Sequence, residues 1–278
     1  MSLLCRRLTW TLCVASLLCL LQGCLHNASA QQQNKHERIE ITDKSFIARS
    51  DICPGLTISI GTAPAGLAIS TGKANVFIPP LDGQLPSEIF IGDFWSNDRC
   101  FVAVESNSGF VNASYDLYRL DQAVDSGEPP LQVLVNPEFG SDRIISTYRD
   151  GARWHEESLC FSGEADRSYI CERRINVEEE IQRYRSCDHL GICSNSILVK
   201  KGGEEGINAT IRVQRAHSYR MPEEGRLEVS RSYLIKGDKV ALLDFVEYDG
   251  RLFYKFSYGK GSAMTIGWVL SEVVAIDR

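Results

Sequence analysis

The sequence has 278 residues, of which 44% are hydrophobic and 24% charged. This balance excludes a disordered or fibrous chain and allows one large or two small globular domains. Acidic residues outnumber basic ones by 36 to 30, and the sequence has no basic block. Because nucleic acid binding needs clustered positive charge on the phosphates, we exclude nucleic acid as a partner.

The first 30 residues have the pattern of an export signal. Arg6 and Arg7 precede an uncharged apolar run over residues 8–21, and small residues follow up to Ala28-Ser29-Ala30. The run is shorter than the roughly 20 apolar residues that a membrane-spanning helix needs. We therefore expect a signal segment over 1–30 and an exported protein.

Two processing sites are open. Cleavage after Ala30 would release a soluble protein that begins at Gln31. Alternatively, Leu21-Gln22-Gly23-Cys24 resembles the lipobox of bacterial lipoproteins, where Cys24 is lipidated and becomes the new N-terminus. The polar residues that follow suit a tether, over 31–45, and favour this second route. The prediction is a periplasmic protein, either soluble or held at a membrane by lipidated Cys24.

The charge of the exported part favours a cationic partner. The signal segment contains two of the 30 basic residues and no acidic one, which leaves 28 basic and 36 acidic residues and a net charge of −8. Such an excess attracts oppositely charged proteins during encounter.

Six cysteines follow the signal segment. An even number of cysteines in an exported chain predicts disulfide bonds. Cys160 and Cys171 lie on either side of a turn between two short strands, so we expect them to face each other. Cys187 and Cys193 close a small loop around Gly191 and should pair. Cys53 and Cys100 are then left to pair. A metal site at Cys187, His189 and Cys193 is the alternative, but three ligands at this spacing do not match a zinc site. We predict no metal and no cofactor.

Strand signals dominate the first 200 residues. Short apolar or alternating runs, separated by Gly, Pro, Asn and Asp turns, predict antiparallel sheets. The runs cover 77–78, 88–91, 101–105, 115–120, 131–135, 144–148, 158–161 and 168–172. Residues 177–185 are predicted as a short helix, because three glutamates near the start suit the helix dipole. A charged, twisted strand is the alternative there.

The last 60 or so residues have a pattern of their own. Five short runs, at 227–235, 240–246, 252–257, 264–269 and 273–276, predict a small β-barrel, and Asp249-Gly250 is a strong hairpin signal. Three glycines and four charges over 200–209 indicate a boundary before it. We expect a disulfide-braced β domain over 46–200, a linker over 201–215 and the barrel over 216–278.

This C-terminal segment resembles a bacterial SH3-like domain. The resemblance rests on Tyr233-Leu234-Ile235-Lys236-Gly237-Asp238-Lys239-Val240 and on Gly267-Trp268-Val269. It implies a small β-barrel. It does not imply a ligand, since modules of this kind bind cell-wall peptides in some proteins and only pack against other domains in others.

The middle of the chain carries a second resemblance. Three segments follow the order of an integrin-type (FG-GAP-like) propeller blade: Ile91-Gly92-Asp93-Phe94, Phe101-Val102-Ala103-Val104 and Tyr115-Asp116-Leu117-Tyr118. Together with Asn136-Pro137-Glu138-Phe139, residues 146–151 and Trp154, they resemble periplasmic immunity proteins that block lysozyme-like effectors. The resemblance covers residues 85–175 and implies a mainly β fold, with an antiparallel propeller-like or sandwich domain before the SH3-like barrel.

The loop over 93–100 departs from the calcium-binding loops of such blades. Those loops hold calcium through several carboxylates and a central glycine. Here the glycine is absent, and Phe101 follows Cys100 where acidic ligands are expected. The sequence favours an ordinary polar hairpin loop over a cation site.

Catalytic motifs are incomplete. Residues 66–74 have the wrong spacing for a phosphate-binding loop. Ser70-Thr71-Gly72-Lys73 matches the nucleophile motif of penicillin-recognising enzymes, but its companion motifs are absent from the sequence. The histidines stand alone, so no triad is supported. We therefore predict a protein that is not an enzyme.

Three function classes follow from these observations. The first is an inhibitor or immunity protein that plugs the cleft of a lysozyme-like cell-wall hydrolase, with Tyr148, Arg149, Trp154 and Glu156 as candidate binding residues. The second is an envelope protein that binds peptidoglycan or a partner protein through its SH3-like domain. The third, an enzyme, has no catalytic constellation to support it.

Overall fold

The structure is a computed structural model that describes residues 36–41, 47–62, 65–80, 83–121, 129–222, 225–259 and 263–277. The predicted signal segment and Cys24 lie outside these ranges. Within them the chain is almost entirely β, with four antiparallel sheets and no α-helix. The predicted mainly β fold is therefore confirmed.

Nine strands form two sheets in the first half of the chain. They are β1 (His36–Glu40), β2 (Ile47–Arg49), β3 (Thr57–Thr62), β4 (Ala65–Ser70), β5 (Asn75–Ile78), β6 (Glu88–Gly92), β7 (Phe101–Ser108), β8 (Ala113–Arg119) and β9 (Gln132–Val135). The first sheet has the order β1-β6-β7-β8-β9, and the second has the order β2-β3-β4-β5. Strand β1 lies within the segment predicted as a tether.

The second half of the chain forms two further sheets. Their strands are β10 (Pro137–Phe139), β11 (Ile144–Asp150), β12 (Arg153–Ser162), β13 (Arg167–Glu178), β14 (Ile181–Ser186), β15 (Ile197–Lys200), β16 (Asn208–Ile211), β17 (Arg215–Arg220), β18 (Glu228–Ile235), β19 (Lys239–Tyr248), β20 (Arg251–Tyr258), β21 (Thr265–Leu270) and β22 (Val274–Ile276). The third sheet runs from β10 to β15 in sequence order. The fourth has the order β18-β17-β21-β20-β19-β16-β22.

The first sheet is buried on both faces. Successive side chains of a strand point to opposite faces, and β7 begins with four apolar residues, each no more than 1% exposed. Val102 and Val104 pack into a core shared with β3, β4 and β5. Phe101 and Ala103 point the other way, into a core shared with the third sheet. The continuous apolar run in the sequence is therefore explained by burial of both faces.

A buried hydrogen bond joins the first sheet to the third. The indole Nε1 of Trp95, which follows β6, donates to the carbonyl oxygen of Leu159 in β12 at 3.0 Å. The ring of Trp95 also packs edge-on against Phe101, with 4.8 Å between ring centroids. This bond satisfies the polar atom of an otherwise apolar side chain and sets the position of β12 against the first sheet.

The third sheet also packs against the fourth. Val177, Ile181 and Leu198, from the β13–β15 end, share a core with Ile207, Val240 and other residues of the C-terminal strands. The segment predicted as a linker, 201–215, contains β16. This strand pairs with both β19 and β22.

The predicted helix over 177–185 is wrong. Strand β13 continues to Glu178, turns through two residues, and β14 begins at Ile181. Ile175 and Val177 alternate with Arg174 and Asn176, which is the periodicity of a strand. The three glutamates lie at the exposed turn rather than at a helix start, so the alternative of a charged strand is the one observed.

The C-terminal strands were predicted as five that close a small barrel. All five are present, and Asp249 and Gly250 form the β19–β20 turn with positive φ angles of 51° and 66°, as that turn type requires. Two further strands, β16 and β17, join them. Among the described residues the seven strands form a sheet with edges at β18 and β22 rather than a closed barrel.

The three predicted disulfides are confirmed: Cys53–Cys100, Cys160–Cys171 and Cys187–Cys193. One detail differs from the prediction. Cys160 lies opposite Tyr169, not opposite Cys171, because the register shifts by one residue between Ser158 and Leu159. Cys171 is the extra residue of a β-bulge, and the bulge turns its side chain toward Cys160.

The disulfides should contribute unequally to stability. Their sequence separations are 47, 11 and 6 residues, and closing a longer loop removes more entropy from the unfolded chain. Replacing each pair by alanine is expected to lower the free energy of unfolding by about 4, 3 and 2 kcal/mol, in that order. Urea titrations of the three double variants measure this. A loss from Cys187/Cys193→Ala that exceeds the loss from Cys53/Cys100→Ala would contradict the ranking.

Candidate functional site

The four predicted binding residues come from one hairpin, β11–β12. Arg149 lies opposite Trp154, and Tyr148 lies opposite His155. Since cross-strand neighbours share a face and successive residues alternate, Arg149, Trp154 and Glu156 lie on one face of the third sheet. Tyr148 lies on the other face. The structure therefore brings three of the four predicted residues together and separates the fourth.

Tyr148 stacks on its cross-strand neighbour. The rings of Tyr148 and His155 are 5.1 Å apart and nearly parallel, at 11°. Burial and, next to it, the negative charge of Glu157 raise the pKa of the Tyr148 hydroxyl above its usual value. The Tyr148 side chain is thus neutral and half-buried, and it lies on the face of the sheet opposite to Arg149.

Glu156 is engaged within the sheet. Its carboxylate lies 3.7 Å from Nε of Arg174, a side chain that is only 7% exposed. Arg174 also pairs with Glu172 at 3.3 Å and donates to the carbonyl oxygen of Gly203 at 2.7 Å. Because this arginine is buried, its partners balance a charge that would otherwise be costly. Glu156 therefore has a structural role in addition to any contact with a partner.

Arg149 and Trp154 are placed at the tip of the hairpin. Trp154 is 42% exposed although it is a large apolar residue. Nε of Arg149 donates to the carbonyl oxygen of Gly151 at 3.2 Å, which lays the guanidinium over the turn. An exposed aromatic ring beside an arginine is the residue combination that dominates protein interfaces.

A second loop with exposed apolar residues adjoins this tip, and the sequence reasoning missed it. Phe110 is fully exposed and Val111 is half exposed in the turn between β7 and β8. The signal in the sequence is an apolar pair after Gly109, within an otherwise polar turn. We call the four residues Phe110, Val111, Arg149 and Trp154 the tip surface.

Two asparagines hold the tip surface together. Asn112 Nδ2 donates to the carbonyl oxygen of Arg149, and Asn112 Oδ1 accepts from its backbone N–H, both at 3.0 Å. Asn136 Nδ2 donates to the carbonyl oxygens of Val111 and Thr147 at 2.9 and 2.8 Å. Each loop is therefore bonded to the other through its backbone, so the apolar side chains are held on a fixed support.

Asn136 occupies a strained position for the sake of these bonds. It links β9 of the first sheet to β10 of the third and has a positive φ of 42°. Asparagine tolerates this conformation better than most residues. Its Oδ1 also accepts from the backbone N–H of Ala113 at 2.9 Å, so all its side-chain polar groups are used.

The Cys187–Cys193 loop presents another apolar pair. Leu190 and Ile192 are both about two-thirds exposed, at 64% and 67%. The carboxylate of Asp188 accepts from the backbone N–H groups of both, at 3.0 and 2.9 Å. The disulfide and the Asp188 carboxylate thus fix a loop of five residues, 188–192, with two apolar side chains in solvent.

The edge strand β18 presents a third exposed apolar group. Val229, Tyr233 and Ile235 share one face because they are separated by even numbers of residues, and all three are exposed. The guanidinium of Arg215 lies 4.1 Å from the centre of the Tyr233 ring, within the range of a cation–π contact. This face belongs to the segment that resembles an SH3-like domain.

The loop after β6 is organised by its own aspartate. The carboxylate oxygens of Asp93 accept from the backbone N–H groups of Asn97 and Asp98, at 2.9 and 2.8 Å. The residues described by the structure include no group of three or more His, Cys, Asp or Glu side chains placed to hold a metal ion. In that same part of the chain, no helix has the length and apolar character needed to cross a membrane.

Comparison with known proteins supplies no relative. No protein family, no curated protein and no solved structure matches the chain. The two resemblances seen in the sequence therefore stay predictions.

Replacing Asn136 tests how the tip surface is held. Asn136→Ala removes three side-chain hydrogen bonds and leaves a residue that disfavours positive φ, so we expect a loss of about 3 kcal/mol in the free energy of unfolding. Asn195→Ala, at an exposed position, is the control and should cost little. Chemical denaturation measures both, and a loss below about 1 kcal/mol for Asn136→Ala would show that these bonds do not hold the loops.

Proposed function

We propose that this protein is an exported inhibitor or immunity protein that binds a lysozyme-like cell-wall hydrolase and plugs its cleft. The observation that carries the proposal is the tip surface, where a fully exposed Phe110 lies in a loop bonded to the hairpin of Arg149 and Trp154. On this proposal the protein acts by binding and is not an enzyme. It would work in the periplasm, either soluble or tethered through Cys24.

Exposure of these side chains has a physical cost that binding would relieve. A fully exposed phenylalanine is unfavourable in water, and contiguous exposed apolar groups commonly mark interaction sites. The hydrogen bonds of Asn112 and Asn136 fix the loops before any partner arrives. A loop that is already ordered loses little entropy on docking, so more of the contact energy becomes affinity.

The charge of the chain fits a cationic enzyme with an acidic active site. A net charge of −8 over the exported part would speed the encounter with a basic hydrolase. Glycoside hydrolases cleave with a pair of carboxyl groups in the cleft. Arg149 is the cation of the tip surface and suits a carboxylate partner through paired hydrogen bonds. The apolar residues around it would exclude water from that contact.

The disulfides support the proposed compartment. Three bonded cysteine pairs are typical of proteins that fold in an oxidising environment. A cell-wall hydrolase acts in the same place. The Cys187–Cys193 loop, with Leu190 and Ile192 exposed, offers a second rigid contact for the same partner.

Substitutions at the tip surface test the proposal. Phe110→Ala and Trp154→Ala are each expected to weaken inhibition of a sensitive muramidase by about 10- to 100-fold, because each removes a large apolar contact. The measurement is lysis of a cell-wall suspension by that enzyme at increasing inhibitor concentration. Ile266→Ala, which removes an exposed apolar residue of the fourth sheet, is the matched control and should inhibit like the unaltered protein. A wild-type chain that leaves a panel of muramidases fully active would sink the proposal.

A second candidate function is binding of peptidoglycan or a partner protein through the C-terminal segment. It is favoured by the exposed face of β18, where Arg215 holds the Tyr233 ring in place. A ring fixed in solvent can pack against a sugar or a peptide at low entropic cost.

Cell-wall pelleting separates the two candidates. If the second function is right, Tyr233→Ala lowers the affinity for purified peptidoglycan at least about tenfold, so less of the protein sediments with it. Phe110→Ala sediments like the unaltered protein. On the inhibitor function, neither variant changes sedimentation. Equal loss in both variants would contradict the assignment of binding to the C-terminal segment.

A further inference from the structure

A small pocket lies on the face of the third sheet opposite to Arg149 and Trp154. Two cross-strand rows form its walls, and both follow from the strand register. One row contains Tyr148, His155, Ile175 and Arg183, and the other contains Glu157, Arg173 and Arg185. The cavity has a volume of about 150 Å³.

The pocket concentrates positive charge. Arg173 and Arg185 are direct cross-strand neighbours, and Arg183 is on the same face, two residues from Arg185. Like charges placed opposite each other in a sheet are destabilising. Two carboxylates offset part of the charge: Glu157 lies 3.3 Å from Arg173, and Asp244 of β19 lies 3.5 Å from Arg183.

Arg185 is the cation that these carboxylates leave unbalanced. Among the described residues it has no ion pair, and its Nε atom is buried without a hydrogen-bond acceptor. A buried N–H of a charged group that lacks an acceptor is costly. Arg185 is one of the residues that line the cavity, so an oxyanion held there would lie beside an arginine that has no carboxylate partner in the described part of the chain.

We propose that this pocket is a binding site for a small oxyanion, of the phosphate or sulfate type. Guanidinium groups are the side chains best suited to such anions, because their N–H groups form paired bonds with two oxygens. Three arginines around one cavity match a tetrahedral anion, which presents oxygens in several directions, better than a planar carboxylate. The stacked rings of Tyr148 and His155 and the side chain of Ile175 complete the walls.

The size of the cavity limits the ligand to a small group. Pockets for drug-sized molecules are typically 300–1,000 Å³, so 150 Å³ suits the free ion or the terminal group of a larger molecule. The site is separate from the proposed contact with a hydrolase, because the register places it on the other face of the same sheet. It therefore stands whether or not the tip surface binds such an enzyme.

Substitution of Arg185 tests the site on the full exported chain. Orthophosphate and sulfate are titrated into the protein at constant ionic strength, balanced with sodium chloride, and binding is followed by calorimetry and by the thermal unfolding midpoint. We expect both anions to raise the midpoint of the unaltered protein. Arg185→Gln should weaken orthophosphate binding at least about tenfold. Arg185→Lys keeps the charge but loses the paired donors, so its affinity should lie between those of Arg185→Gln and the unaltered protein.

A folding defect and a binding defect are distinguishable in this experiment. Without oxyanion at low salt, Arg185→Gln is expected to unfold at the same or a higher temperature, because it removes repulsion with Arg173. Arg226→Gln, the same charge change at an exposed loop position, should bind both anions like the unaltered protein. Equal stabilisation of all variants by phosphate would overturn the proposal. So would a rise in the unfolding midpoint with acetate but with neither tetrahedral anion, or a lower midpoint of Arg185→Gln than of the unaltered protein at low salt.

Discussion

Burial of both faces of the first sheet is the constraint on which the other layers depend. Val102 and Val104 require the β2–β5 sheet on one side, while Phe101 and Ala103 require the third sheet on the other. Exposing either side would return several large apolar side chains to water, each at a cost of about 1.5–3 kcal/mol. The third sheet is therefore held at one end by this core and at the other by the C-terminal strands.

This arrangement explains why interaction surfaces occur where they do. The end of the β11–β12 hairpin is beyond the cores, so its apolar residues have no layer to pack against. The asparagines at 112 and 136 replace packing there with hydrogen bonds to backbone groups of both loops. A tip supported in this way keeps a fixed shape while its side chains remain in solvent, which suits recognition of a preformed cleft.

The same sheet carries two chemically different faces at its middle. On one face Glu156 and Glu172 surround the buried Arg174 and balance its charge. On the opposite face, between the two apolar cores, Arg173, Arg183 and Arg185 have fewer carboxylates than positive charges. The contrast is informative because a sheet selected for stability alone would pair the second cluster as completely as the first. Within the residues that the structure describes, Arg185 is the arginine of this cluster without a carboxylate partner, and its Nε is buried without an acceptor, which is the reason for assigning an oxyanion to that pocket.

The sequence alone predicted many of the strands, the Asp249-Gly250 turn and the three disulfides, because these have local signals, but it missed β1–β4, β10 and β14–β17. Asp249-Gly250 needs two positive φ angles, residues 101–104 are all apolar, and the cysteine pairs are close in the chain or left over by elimination. It did not determine the region over 177–185, since a run of glutamates is compatible with a helix start and with an exposed turn until its neighbours are known.

The candidate site shows the same division. Arg149 and Trp154 were predictable as candidates from their residue types, but their separation from Tyr148 follows from alternation along β11 and from its pairing with β12. Phe110 became part of the site through hydrogen bonds between residues 37 positions apart, and the arginine pocket is formed by four adjacent strands, β11–β14. Contacts of this kind are decided by tertiary structure, because only sheet pairing and layer packing determine which residues become neighbours and which side chains are left without a partner.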